Sequence, residues 1–90
     1  MSKPKKKDDN KPGYHLREIQ KGVLGEVSKI VEEVEELVDA HEQGIVLMEL
    51  VELADIYGAV KARAEKLGHS IDDIVRMADV TQRAFQNGRR

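Results

Sequence analysis

Ninety residues with a formal net charge of −2 make one small domain and give no general drive toward nucleic acid, so no direct nucleic-acid binding is expected. The absence of cysteine excludes a disulfide scaffold and any thiolate metal site. No apolar run is long enough to span a membrane and the N-terminus lacks a signal peptide's apolar segment, which makes the expected location cytoplasmic.

Met1 to Gly13 carries Lys3, Lys5, Lys6, Lys7 and Lys11 with Pro4 and Pro12, and no large apolar residue after Met1. It reads as a disordered, basic, solubilising tail. A single all-α domain is expected over 14–90. Tyr14 to Gln20 is a mixed entry segment in which Tyr14 is free to close over a ligand. Gly22 and Gly25 argue against helix before about Glu26.

Val27, Ile30, Val31, Val34, Leu37 and Val38 then recur at i, i+3, i+4 and i+7 and predict a first helix with one apolar stripe. Glu26 and Glu33 fall at the edge of that stripe and Glu36 well beyond it, while Glu32 and Glu35 are expected to face solvent. Gly44 is the natural stop. A second helix runs from near Ile45 to Leu67, with Val46, Leu50, Leu53, Tyr57, Val60, Ala64 and Leu67 on its main apolar face. Met48, Ile56 and Ala59 lie on a flank that also carries Glu49, Glu52 and Asp55, so this helix is apolar nearly all round and is expected to be buried, with Tyr57 in the core. After Gly68, Ser70 and Asp73 form a variant capping box that opens a third helix, ending at Asn87-Gly88. Short connections predict antiparallel neighbours, a helical hairpin plus a third helix. With only one Phe, two Tyr and no Trp, the core is aliphatic and thin, which points to burial by self-association as a homodimer or homotetramer.

The most informative pattern is Glu32-Glu33-x-x-Glu36 followed by Glu52-x-x-Asp55. Glu36 and Glu52 each stand eight residues from Gly44, and Glu33 and Asp55 each stand eleven from it. A helical hairpin turning at Gly44 therefore puts Glu36 opposite Glu52 and Glu33 opposite Asp55, roughly 12–16 Å from the turn at about 1.5 Å per residue. Four converging carboxylates repel one another unless a cation lies between them, and a hard, oxygen-preferring ion such as Mg²⁺ is the natural candidate. The bland alternative is a solvated acidic face paired with Lys29, Lys61 or Arg63.

The same residues resemble the motifs of the MazG-like, all-α nucleoside triphosphate pyrophosphohydrolases. Leu50 to Tyr57 looks like that family's second metal-binding helix, and Lys66-Leu67-Gly68 with Ser70-Ile71-Asp72-Asp73 looks like its next turn. Gly13-Tyr14-His15, Lys21-Gly22, Gly25-Glu26 and Ser28-Lys29-Ile30 resemble a bacteriophage branch. The resemblance implies Mg²⁺-dependent hydrolysis of a nucleoside or deoxynucleoside triphosphate to the monophosphate and pyrophosphate. It implies Glu33, Glu36, Glu52 and Asp55 as metal ligands, with Glu32 in a supporting role. Glu33 or Glu36 is the candidate to orient the attacking water. The family's Lys-Asn pair near the third helix is absent. Lys29, Lys21 and Arg83 are the candidate phosphate contacts, with Arg76, Asn87, Arg89 and Arg90 as further donors. His15, His41 and His69 are expected to be solvated or turn residues.

Two other classes compete. A carboxylate-bridged di-iron bundle needs Glu-x-x-His pairs, and no His here follows a Glu by three. A non-enzymatic helical interaction or regulatory module is the alternative function, distinguished by indifference to chelation.

Overall fold

The described backbone forms three helices: α1 (Val27–Gln43), α2 (Val46–Lys66) and α3 (Ile71–Gln86). A computed structural model describes residues 15–88; the expected basic tail, Tyr14, Arg89 and Arg90 lie outside the described residues. No strand occurs among the described residues, and no helix of the structure is long and apolar enough to cross a membrane.

The helix ends follow local chemistry. Gly44 takes the left-handed conformation (φ 74°) and donates its N–H to the His41 carbonyl at 3.0 Å, which stops α1. At the end of α2, the Gly68 N–H reaches the Glu65 carbonyl and the His69 N–H reaches the Ala64 carbonyl, the two bonds of a Schellman turn, with Gly68 at φ 87°. Ser70 opens α3 with the expected reciprocal box: the Asp73 N–H donates to Ser70 Oγ at 3.2 Å, and the Ser70 N–H donates to Asp73 Oδ2 at 3.1 Å.

α1 packs along α2, and α3 packs on α2 alone. Contacts fix both ends of the α1–α2 pair. Lys66 Nζ donates to Glu26 Oε2 at 2.7 Å, and Arg63 reaches the Gly25 carbonyl at 3.3 Å. His41 and Glu49 meet at 3.3 Å at the other end. Residues 15–26 form an irregular strap across α1. Asp39 anchors it by accepting from the Leu16 and Arg17 amides at 2.8 and 3.1 Å, Ile19 is buried, and the Gly22 N–H donates to Glu32 Oε1 at 2.8 Å. At Gly22 a Cβ would stand 2.3 Å from the Ser28 carbonyl oxygen, so only glycine permits this approach.

Which helix faces turn inward differs from the periodicity reading. On α1 the buried residues are Glu32, Glu33, Glu36, Asp39 and Ala40, a stripe at helical spacing, while Val27, Val31, Val34 and Val38 are exposed. On α2 the buried residues are Glu52, Ala59 and Ala64, so the inward side is the flank of Met48, Ile56 and Ala59. Its expected main apolar face, including Leu50, Leu53 and Tyr57, is about half exposed. The buried apolar set reduces to Ile19, Ala40, Ala59 and Ala64. The chain is correspondingly extended: its radius of gyration is 16.1 Å, against about 12 Å for a compact globule of this length.

Ser70→Ala removes one half of the reciprocal cap and is expected to destabilise α3 by about 1 kcal/mol. Because α3 touches only α2, the loss should appear as faster amide exchange confined to the first turns of α3, with α1 protection unchanged.

Candidate metal centre

The inward stripe of α1 meets the inward flank of α2 as carboxylate against carboxylate. Glu33 and Glu36 from α1 and Glu52 and Asp55 from α2 each present an oxygen within 4.8 Å of the others. All four sequence-predicted ligands are brought together. Glu33, Glu36 and Glu52 are buried, and Asp55 is exposed at the edge of the group.

Burial sets the electrostatics. Removal from water, a proton shared with Glu52, and the neighbouring charge of Glu33 push the Glu36 carboxyl up to about 8. Burial, with Asp55 and Glu33 nearby, also raises Glu52, although the bond to Glu36 opposes the shift. Glu33 Oε2 pairs with Lys29 Nζ at 3.1 Å, whereas Glu33 Oε1 is buried with no hydrogen-bond partner. A buried carboxylate oxygen left in that condition is costly. An orphaned oxygen beside three further carboxylates is the donor set a hard cation needs, so these residues fit one.

Lys29 bridges Glu32 and Glu33 at 3.1 Å each. Burial pulls its ammonium down, but the two carboxylates outweigh that and hold it above its ordinary value. Glu32, expected to face solvent, is buried instead. Burial alone would raise it, but the Gly22 amide and Lys29 keep it ionised below the usual carboxylate range. The strap covers Glu32, and a strap without periodicity leaves no trace in a helical pattern.

The group opens onto a cleft of about 440 Å³ lined by Leu24, Lys29, Glu33, Ala54, Asp55, Gly58 and Ala59. Of the three candidate phosphate contacts, only Lys29 lines it. Lys21 lies on another hollow with Gln20, Ser28, Val31 and Glu35. Arg83 is exposed in the last turn of α3, a helix that does not pack on α1.

Sequence reasoning missed His15. Its ring is fully buried, with Nδ1 3.5 Å from Asp39 Oδ1 and Nε2 3.8 Å from Glu36 Oε1. The one available signal was Asp39 itself, which continues the inward stripe of Glu32 and Glu36 and needs partners from outside the helix. His41 and His69 are exposed, as expected.

No family model, curated protein or solved structure matches this chain.

In the metal-free chain, stability is expected to fall as pH rises from about 4.5 to about 8. Within that window the unfolded chain has released the Glu36 proton and the folded chain still holds it. Glu32 and Asp39, held below the usual range, lose their stabilising contribution only in more acidic solution. Thermal melts in chelator at several pH values should show the decline, and Glu36→Gln should flatten it. A midpoint independent of pH in both chains would contradict a buried, protonated Glu36.

Proposed function

We propose that this chain is a Mg²⁺-dependent hydrolase that cleaves a nucleoside or deoxynucleoside triphosphate to the monophosphate and pyrophosphate, in the manner of the MazG-like pyrophosphohydrolases. The observation that carries the reading is the convergence of four carboxylates from two helices, three of them buried, at the edge of a cleft that also holds a lysine. Glu33, Glu36, Glu52 and Asp55 would hold the metal. An ion held there would supply positive charge against the phosphates and a water of lowered pKa.

The chain's own residues divide the remaining work. Lys29 meets phosphate charge at the cleft, already fixed by Glu32 and Glu33. Ala54, Gly58 and Ala59 leave the cleft wall open; a Cβ built at Gly58 would meet nothing within 4 Å. Glu33 or Glu36, whichever keeps an oxygen not used as a ligand, takes the proton of the attacking water. The water oxygen bonds to the α-phosphorus, the bond from that phosphorus to the bridging oxygen breaks, and pyrophosphate leaves with the bond electrons.

The reading includes an antiparallel α1–α2 hairpin assembled as a homodimer or homotetramer. The end contacts of Glu26 with Lys66 and of His41 with Glu49 support the hairpin. The exposed faces carrying Val31, Val34 and Val38 on α1 and Leu50, Leu53 and Tyr57 on α2 support the assembly. Those faces also favour the competing reading, a non-enzymatic interaction module, which metal dependence separates.

Purified protein incubated with a panel of triphosphates is expected to release pyrophosphate with Mg²⁺ and none after chelation. Glu36→Gln and Asp55→Asn should each lower turnover by about 100-fold or more with helix content unchanged by circular dichroism. Full activity in either variant, or no release from any triphosphate, would sink the assignment in favour of the interaction module.

Light scattering after size exclusion should give a dimer or tetramer mass, and Leu53→Lys should shift it toward the monomer. A wild-type chain monomeric at high concentration would remove the assembly.

A further inference from the structure

The strap places an imidazole against the carboxylate group, with His15 Nε2 3.8 Å from Glu36 Oε1. The His15 ring is fully buried, and His15, Glu36 and Glu52 each offer a ligand atom within 4.8 Å of the others. Glu36 and Glu52 therefore belong to two overlapping sets, one completed by Glu33 and Asp55 and the other by His15.

The far side of the imidazole is equally defined. Asp39 Oδ1 stands 3.5 Å from His15 Nδ1. Asp39 is itself immobilised: Gln43 Nε2 donates to Oδ1 at 2.7 Å, and the Leu16 and Arg17 amides donate to Oδ2. Burial would raise this carboxyl, but those donors, together with His15, hold it ionised below the usual range. A fixed anion at Nδ1 favours the tautomer that carries its proton there and turns the Nε2 lone pair toward Glu36 and Glu52. A carboxylate behind a histidine whose other nitrogen faces further acidic ligands is the arrangement in which imidazole binds metal. A histidine that only anchored the strap would need the Asp39 contact but not a second nitrogen within reach of Glu36 and Glu52.

We propose that His15, Glu36 and Glu52 form a second cation position, sharing two carboxylates with the first and selective for a divalent transition ion such as Mn²⁺, Co²⁺ or Zn²⁺ over Mg²⁺. Imidazole nitrogen suits these borderline ions, whereas Mg²⁺ prefers oxygen throughout. Sharing Glu36 and Glu52 would make the two positions neighbours, as in two-metal sites. The inference rests on reading the four carboxylates as a metal centre, and the test separates the two.

The test uses the full chain with ¹⁵N-labelled histidine, which contains three histidines, His15, His41 and His69. Zn²⁺ is titrated in with Mg²⁺ already present. The expected result is a large shift of the His15 Nε2 resonance at the first equivalent, before His41 and His69 respond. Calorimetry with Zn²⁺ and with Mg²⁺ on His15→Gln should show Zn²⁺ affinity lowered by about tenfold or more and Mg²⁺ affinity nearly unchanged. Asp55→Asn should weaken Mg²⁺ more than Zn²⁺. A His15 resonance indifferent to Zn²⁺ overturns the proposal; the wild-type spectrum decides this even if His15→Gln fails to fold. In that event, Mg²⁺ binding that still depends on Asp55 leaves the four-carboxylate centre standing. Binding of neither ion removes both.

Discussion

The contact between α1 and α2 is made through carboxylates, and the rest of the structure is arranged around that constraint. Moving a carboxylate out of water costs several kcal/mol unless partners compensate it. The chain answers each buried acid differently. Glu32 has a backbone amide and Lys29. Asp39 has two strap amides and Gln43. Glu36 is driven toward its neutral form and shares a proton with Glu52. Glu33 keeps one oxygen for Lys29 and leaves the other buried without a hydrogen bond. Compensation is thus fuller at the periphery than at the centre, where Glu33 Oε1 has no hydrogen-bond partner.

Turning the acidic stripe inward forces the apolar stripe outward, because on one α-helix the two lie on opposite faces. The valines of α1 and the Leu50–Leu53–Tyr57 side of α2 consequently face away from the α1–α2 contact. Among the described residues, four small or medium side chains, Ile19, Ala40, Ala59 and Ala64, are all that is buried of the apolar set. So small an apolar core contributes little against the entropy of ordering the chain. With the carboxylates inside the helix pair and the hydrophobic surface outside it, the faces that would join copies are the reverse sides of the helices that carry the acids. Assembly would fix the spacing of α1 and α2, and with it the spacing of the ligands.

Local chemistry made much of this legible. Gly44, Gly68 and the Ser70–Asp73 box mark the helix boundaries through conformations and bonds that need only neighbouring residues. The pairing of Glu36 with Glu52 followed from equal spacing about Gly44, since rise per residue is a property of the helix and not of its environment. Which face turns inward did not follow, because hydrophobic periodicity assumes that the apolar stripe seeks the interior of the same chain. His15 and the burial of Glu32 were illegible for a different reason. Both depend on the strap, whose path is set by hydrogen bonds to Asp39 and Glu32 and by the close approach at Gly22, none of which repeats along the sequence.

Gly58 lies in the interior of α2, on the wall of the cleft beside the carboxylates. A glycine in a helix interior costs about 1 kcal/mol relative to alanine, and a methyl group added there would meet no atom within 4 Å. Neither a positive φ nor a close packing contact demands glycine at this position. What the missing side chain does is leave space on the wall of the cleft that also holds Glu33, Asp55 and Lys29. Beside the orphaned oxygen of Glu33, it is a second place where the chain forgoes stability, and the two line one cleft. Local sacrifices of stability that meet at one opening are what the proposed metal and phosphate cleft would require.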